Sequence, residues 1–565
     1  MKKAFFCSLL QVLGFILFQS CTPPHTTADL IILNGKVATV DSTFSIQEAV
    51  AVKDKKIVFV GSQEEAQAFI GADTQRIDAT NMLVLPGLID AHGHLVSLGN
   101  QLSQLYTSDS KSYEDIVKKV RVAAQNTPAG EWIIGGRWDH NTWEDNSFPW
   151  HDALSEVSPN NPVYLSRVDG NSALVNQKAM DIAGISAATK NPEGGTILRK
   201  PDGSPTGVLI NRAMNLVKQH FPEMGMEEQK KRIQQAVDAA NKDGLTGVHE
   251  AGISLFQVDA FKELVQDSIL DMRVYAMLGD QKNPEFASED LVEYFKSIRI
   301  EEMGGDLFSL KSLKLYFDGA LGSRGAAFFD PYEDDPHNTG LLRIPPDYIV
   351  EVAEAALQAD MQVCTHAIGI RGNRWCLDAY EGALAKFPKD DHRFRIEHAQ
   401  VVEAEDIQRF KKLNVLPSVQ PTHCTSDKHF VVDRIGEKRA EGAYAWRSFI
   451  DAGLIMPCGS DFPVESTNPL LGIYALVTRQ DVQGLPENGW FPEQKVTIEE
   501  AIKGFTIWAA YGAFQEDILG SIEVGKYADF TILDQDLLTI DPKEILNTNV
   551  IYTIVGGNVK YQRRE

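Results

Sequence analysis

Leu88-Ile89-Asp90-Ala91-His92-Gly93-His94 reads as an apolar strand that runs out into two histidines. Residues two apart on a strand share a face, so both imidazoles point one way, and the glycine between them leaves room for a close approach. Alone, a His-x-His pair is more often a pair of hydrogen-bonded core residues than a metal site. Three later apolar runs end with matching chemistry: Val363-Cys364-Thr365-His366, Phe394-Arg395-Ile396-Glu397-His398 and Pro457-Cys458-Gly459-Ser460-Asp461. A parallel barrel gathers its active site at the C-terminal ends of its strands, so four imidazoles and the Asp461 carboxylate would converge there. That donor set suits a divalent ion of borderline softness, zinc above all.

Outward from this stretch, apolar runs alternate with amphipathic helical segments, the pattern of an α/β fold with a parallel sheet. Strands are expected at 83–91, 245–250, 272–278, 312–317, 361–366, 393–398, 414–419 and 455–460. Eight is the number a closed (β/α)8 TIM-like barrel needs. It requires 83–515 to be the barrel, with an insertion at about 100–243 after the first strand. The insertion has apolar runs of its own at 132–136 and 162–166. Before the barrel, Leu30 to Leu33 and Lys36 to Val40 flank Asn34-Gly35, which predicts a hairpin. Runs at 49–52 and 56–61 follow, and the C-terminus offers Phe530 to Leu533 and Val550 to Val555. Neither end has strands enough to stand alone. Together 29–82 and 516–563 are expected to build one small composite β-sandwich.

The chain has 565 residues, 43% of them hydrophobic and 23% charged. This composition excludes global disorder, a collagen-like repeat and a polytopic membrane protein. A formal charge of −24 repels phosphate backbones, so nucleic acid is not an expected partner. The six cysteines form no CxxC pair, which excludes a zinc ribbon and a thioredoxin-type motif. Cys364, Cys376, Cys424 and Cys458 are expected to be buried free thiols.

At the start, Lys2 and Lys3 precede an apolar run from Ala4 to Phe18, closed by Gln19-Ser20-Cys21. This predicts a signal peptide over 1–21 of lipoprotein type, with plain secretion or a retained anchor as the alternatives. The mature chain would then be periplasmic, carried across the inner membrane and anchored to a membrane by lipid at Cys21. Residues 22 to 28 would be its tether.

Lys314 lies inside the apolar run Ser312 to Phe317. A buried ammonium is costly without a partner. A salt bridge would serve; so would carboxylation by carbon dioxide, which turns the lysine into an anion able to bridge two metals. The loop Asp318-Gly319-Ala320-Leu321-Gly322-Ser323-Arg324 lacks Gly-Lys-Ser/Thr and is no phosphate-binding P-loop. It reads as a turn, or as a substrate contact through Arg324. Trp138, Trp143 and Trp150 cluster in the insertion with Arg137 and Asp139, as core or as the wall of a cleft.

As a set, the motifs are specific: Pro86 to His94, Lys314 to Gly319, His366-Ala367-Ile368-Gly369, Glu397-His398, Ser418-Val419-Gln420-Pro421, Gly459 to Glu465 and Gly525-Lys526-Tyr527-Ala528-Asp529. In these the chain resembles the metal-dependent amidohydrolase superfamily over roughly 29–563. The likeness is greatest to its amidohydrolase 3 branch of YtcJ-type proteins and N-substituted formamide deformylases. The resemblance implies that His92 and His94 hold one metal, that His366 and His398 hold a second, and that carboxylated Lys314 bridges them. It implies Asp461 as metal ligand and as the general base and then acid for hydroxide attack on a carbonyl. The implied reaction is hydrolysis of a non-peptide carbon–nitrogen bond, most simply an amide, in a small molecule. A deaminase, a cyclic-amide hydrolase, or a non-catalytic surface binding or regulatory protein retaining the barrel are the alternatives. One or two ions are compatible with the motifs, and the oligomeric state stays open. The branch pattern is broken at Asn171, within Asp169-Gly170-Asn171, and at Ile370. Asp169, Asn171, Asp318, Arg324 and His423 are the residues expected near the substrate.

Overall fold

The computed structural model describes residues 27–280 and 290–564. The expected signal peptide, Cys21 and residues 22 to 26 of the tether lie outside the described residues. Seven parallel strands pair in the order Leu88–Gly93, Leu245–Ile253, Arg273–Gly279, Phe308–Tyr316, Gln362–Ala367, Arg395–His398 and Leu416–Ser418. The run 455–460 fills the eighth position with one bridge, Val419 to Cys458, in place of a full strand. Pro457 has no N–H to give a ladder, and Asp461 turns the chain away at φ 61°. The ring nevertheless closes. Val419 N donates to Pro457 O at 3.0 Å, Gly459 N to Val419 O at 3.0 Å, Ala91 N to Cys458 O at 2.9 Å and Asp461 N to His92 O at 2.7 Å.

Strands buried on both faces read as unbroken apolar runs, and every residue of Leu245–Ile253 is buried. Helices such as Pro346–Ala359 and Ile370–Lys386 cover the barrel with their apolar stripes, and one hydrophobic core runs through the assembly. Cys376, Cys424 and Cys458 are buried free thiols within it, and Cys364 is a buried free thiol in a small cluster with Ala251 and Met277.

Two sequence expectations need correction. The run 83–91 is two strands: Leu83–Pro86 belongs to a flanking sheet, and Leu88–Gly93 opens the barrel. They divide at Gly87, where a Cβ would lie 2.1 Å from Thr246 Oγ1. Asn34-Gly35 does not turn a hairpin. Leu30–Leu33 pairs with Ala49–Lys53 and Gln75–Asp78, whereas Lys36–Ala38 pairs with Ile46–Gln47 and Leu83–Pro86 in another sheet. The dipeptide carries the chain from one layer to the next. Ile32 and Val37 thereby face each other across a shared core, which a hairpin would have denied them.

That second sheet joins both chain ends in the order Asn558–Gln562, Val550–Val555, Phe530–Leu533, Leu83–Pro86, Lys36–Ala38, Ile46–Gln47. Asp529 ties it to the barrel: its carboxylate accepts from Arg273 Nε at 2.5 Å and Nη2 at 3.0 Å, and from Gly556 N at 2.7 Å. Between the first and second barrel strands stands a separate six-stranded sheet spanning Leu105 to Asn211. Trp138 and Trp143 are core there, their indoles donating to Leu165 O at 2.9 Å and Ser110 O at 3.0 Å, while Trp150 is 48% exposed. Helix Met226–Lys242 returns to the barrel, packed so closely on Leu95–Leu102 that a Cβ on Gly99 would lie 2.2 Å from Arg232 O.

Candidate metal centre

His92 and His94 leave the first barrel strand, His366 is carried by the fifth, His398 ends the sixth, and Asp461 sits in the seam of the eighth. All five line one cavity of about 580 Å³ with Lys314, Tyr316 and His423. His94 Nε2 lies 2.9 Å from Asp461 Oδ1, and His92 Nε2 lies 3.6 Å from the same oxygen. The rings of His366 and His398 meet edge to face at 4.5 Å, and those of His92 and His398 are 5.0 Å apart. One ligand atom from each of His92, His398 and Asp461 falls within 4.8 Å of the others, the spacing of groups that could hold a cation. Among the described residues, His366 Nε2, His398 Nδ1 and His423 Nε2 are buried without a hydrogen-bond partner, His366 Nε2 lying 3.4 Å from Asp318 Oδ1. Such orphaned nitrogens are costly unless something accepts their lone pairs or protons, so a divalent ion fits these residues.

The electrostatics agree. Burial and the nearby Lys314 charge hold His92 down to about 4, which keeps its imidazole neutral and able to ligate. Burial works against the Asp461 anion, but hydrogen bonding from His94 and the surrounding imidazoles hold its pKa well below the usual carboxylate value. Lys314 is buried with its Nζ 3.2 Å from His92 Nε2, and burial lowers its pKa.

Several supporting residues escaped the sequence reading. Glu397 accepts from His92 Nδ1 at 2.5 Å, and Arg395 Nε lies 2.7 Å from Glu397 Oε1. Asp90 accepts from His92 N at 2.9 Å and Ser460 Oγ at 2.7 Å, lacing the first strand to the barrel seam. Glu250 accepts from Leu95 N at 2.5 Å and so caps the helix that follows the His-x-His pair. The available signal was a charged residue inside an apolar strand, the same cue that drew attention to Lys314. His398 has φ 73°, which breaks strand alternation and lets sequence neighbours Glu397 and His398 both be buried beside His92.

Other expected residues divide. His423 stacks on His398 at 6.0 Å, with its Nε2 3.9 Å from Asp461 Oδ2. Asp318 lines the cavity, yet its oxygens are occupied by the backbone amides of Ala327, Ile368 and Gly369, each at 2.9 Å. Arg324 is paired in a fork with Asp334 at 2.9 Å, while Asp169 pairs with Arg167 at 2.6 Å and accepts from Asn171 N at 3.0 Å. Arg324, Asp169 and Asn171 are not among the cavity's lining residues.

The sequence profile of the amidohydrolase family matches residues 75–561. The chain belongs to that family. This amidohydrolase is 34% identical over 98% of its length to Protein LONG AFTER FAR-RED 3 of Arabidopsis thaliana, covering 95% of that protein. It is 27% identical over 95% of its length to N-substituted formamide deformylase of Arthrobacter pascens, covering 98% of that enzyme. An uncharacterized metal-dependent hydrolase from Pyrococcus furiosus superposes with a TM-score of 0.73 at 27% identity, over 90% of this chain and 100% of that one. The fold is thus a TIM-like barrel with additional sheets, and the family supports a metal-dependent hydrolase.

Proposed function

We propose that this amidohydrolase cleaves a non-peptide carbon–nitrogen bond, an amide, in a small molecule. The observation that carries the reading is the meeting of four imidazoles, Lys314 and Asp461 at the mouth of one barrel, in a cavity of about 580 Å³. A cavity of that size takes a metabolite rather than a folded protein. The likeness to a protein named N-substituted formamide deformylase favours an amide over the deaminase and cyclic-amide alternatives.

His92, His94, His366, His398 and Asp461 would hold one or two ions, of which zinc best suits imidazole and carboxylate together. A divalent ion, when bound, supplies an acidified water and polarises a carbonyl oxygen. Asp461 then takes the proton from the attacking water and hands it to the departing nitrogen. Carboxylation of Lys314 belongs to the same reading: its buried amine would add to carbon dioxide, lose one proton and become a carbamate anion. We further propose that the chain is a periplasmic lipoprotein anchored at Cys21, which failure of the expressed chain to take up labelled palmitate would refute.

Metal analysis of the purified protein, followed by assay on N-acyl amino acids, formamides and cyclic imides, tests the reading. Bound divalent metal with turnover of one amide class is expected. Bound metal without turnover on any of them would favour the non-catalytic alternative, and absence of metal from protein refolded with zinc would overturn the site.

A further inference from the structure

Below the metal-binding histidines lies a buried ion pair that the reaction does not use. Arg395 and Glu397 are both fully buried. The guanidinium spans the barrel interior. Its Nε lies 2.7 Å from Glu397 Oε1, and Nη2 donates to Glu397 Oε2 at 3.2 Å, Ala91 O at 2.6 Å and Ser418 Oγ at 2.8 Å. Nη1 meets His249 Nδ1 at 2.8 Å. One side chain therefore bonds to the first, second, sixth and seventh barrel strands. The carboxylate it holds has one remaining near neighbour on the metal side, His92 Nδ1 at 2.5 Å.

From this geometry we infer that Glu397, anchored by Arg395, is the positioning residue that fixes the tautomer and ring orientation of His92. A carboxylate at 2.5 Å from Nδ1 demands the proton there, whereas the competing Asp461 oxygen stands 3.6 Å from Nε2. The Nε2 lone pair is then left facing Lys314 and Asp461, where a cation would sit. A carboxylate on the far nitrogen of a ligating histidine typically changes metal affinity by about 10–100-fold. Arg395 holds the Glu397 carboxylate still, so the guanidinium that links four strands also holds His92 in place.

The inference rests on His92 being a metal ligand, and the experiment separates the two. Histidine-selective ¹⁵N NMR on the wild-type protein, with the His92 signal identified by its loss in His92→Asn, should show the Nδ1–H tautomer both loaded with zinc and after chelation. An Nε2–H signal would overturn the inference without any variant having to fold. Zinc titration of Glu397→Ala should give affinity about 10–100-fold weaker than wild type, partly restored by added formate, with Glu397→Gln between them. Wild-type affinity in a folded Glu397→Ala would overturn it, even if the melting temperature fell. Unchanged zinc affinity in His92→Asn would overturn the ligand assignment itself.

Discussion

Asp461 is the residue to which the proposed reaction assigns the proton transfer. It sits 2.9 Å from His94 Nε2 and is held ionised by the imidazoles around it. Asp461→Asn is expected to retain most of its metal while kcat falls by about 10²–10⁴-fold, the usual worth of a positioned proton carrier. Steady-state kinetics beside metal analysis would check it, and near-normal turnover would remove Asp461 from the proton path. Lys314→Ala should lower metal content from two ions toward one, read by elemental analysis; an unchanged ratio would exclude bridging. That His92, His94, His366, His398 and Asp461 would meet in one cavity was legible because each ends an apolar run, and barrel geometry says where such ends converge. Glu397 was not, since its task depends on a residue 305 positions away that only the closed ring brings near. Asp318 and Arg324 divide: Asp318 lines the cavity with its oxygens on backbone amides, whereas Arg324 pairs with Asp334 and is not among the lining residues.

Among the elements, the seam segment is the most exacting. A Cβ on Gly459 would lie 2.4 Å from His92 N and 2.5 Å from Asp90 Oδ1. Gly459→Ala must therefore push the seam off the first strand. A loss of about 1–3 kcal/mol is expected, as for other overpacked interiors, measured by urea unfolding. Loss of metal should accompany it, because Asp461 N hangs on His92 O across the same seam. Most barrel strands were readable from the sequence, since burial on both faces leaves an unbroken apolar signature. The errors fell where local sequence is ambiguous. Asn34-Gly35 serves a hairpin or a step between layers equally well, and the choice belongs to the distant strands that cover Ile32 and Val37. At Pro86-Gly87 the breaking dipeptide marks an interruption, but the apolar run resumes at once and hides that two sheets share it.

For the molecule as a whole, the joint between flanking sheet and barrel has an electrostatic core. Arg273 and Asp529 are 5% and 7% exposed. Removing one partner of such a pair strands the other charge, so Asp529→Ala should cost about 3–5 kcal/mol by chemical denaturation, whereas an exposed pair would cost little. This gives a physical reason for an aspartate at the end of Gly525-Lys526-Tyr527-Ala528-Asp529. A bound ion should stabilise the entire fold by mass action, about 2.7 kcal/mol when free metal is 100 times its Kd. Chelation should accordingly lower the melting temperature of wild type, and lower that of His92→Asn by less. The sheet built from both chain ends has a consequence for biogenesis. Leu83–Pro86 waits beside Lys36–Ala38 for a neighbour, Phe530–Leu533, that the ribosome delivers only hundreds of residues later. Until then the early strands present an open edge, so a chain cut short before residue 530 should be left sticky and open to proteases.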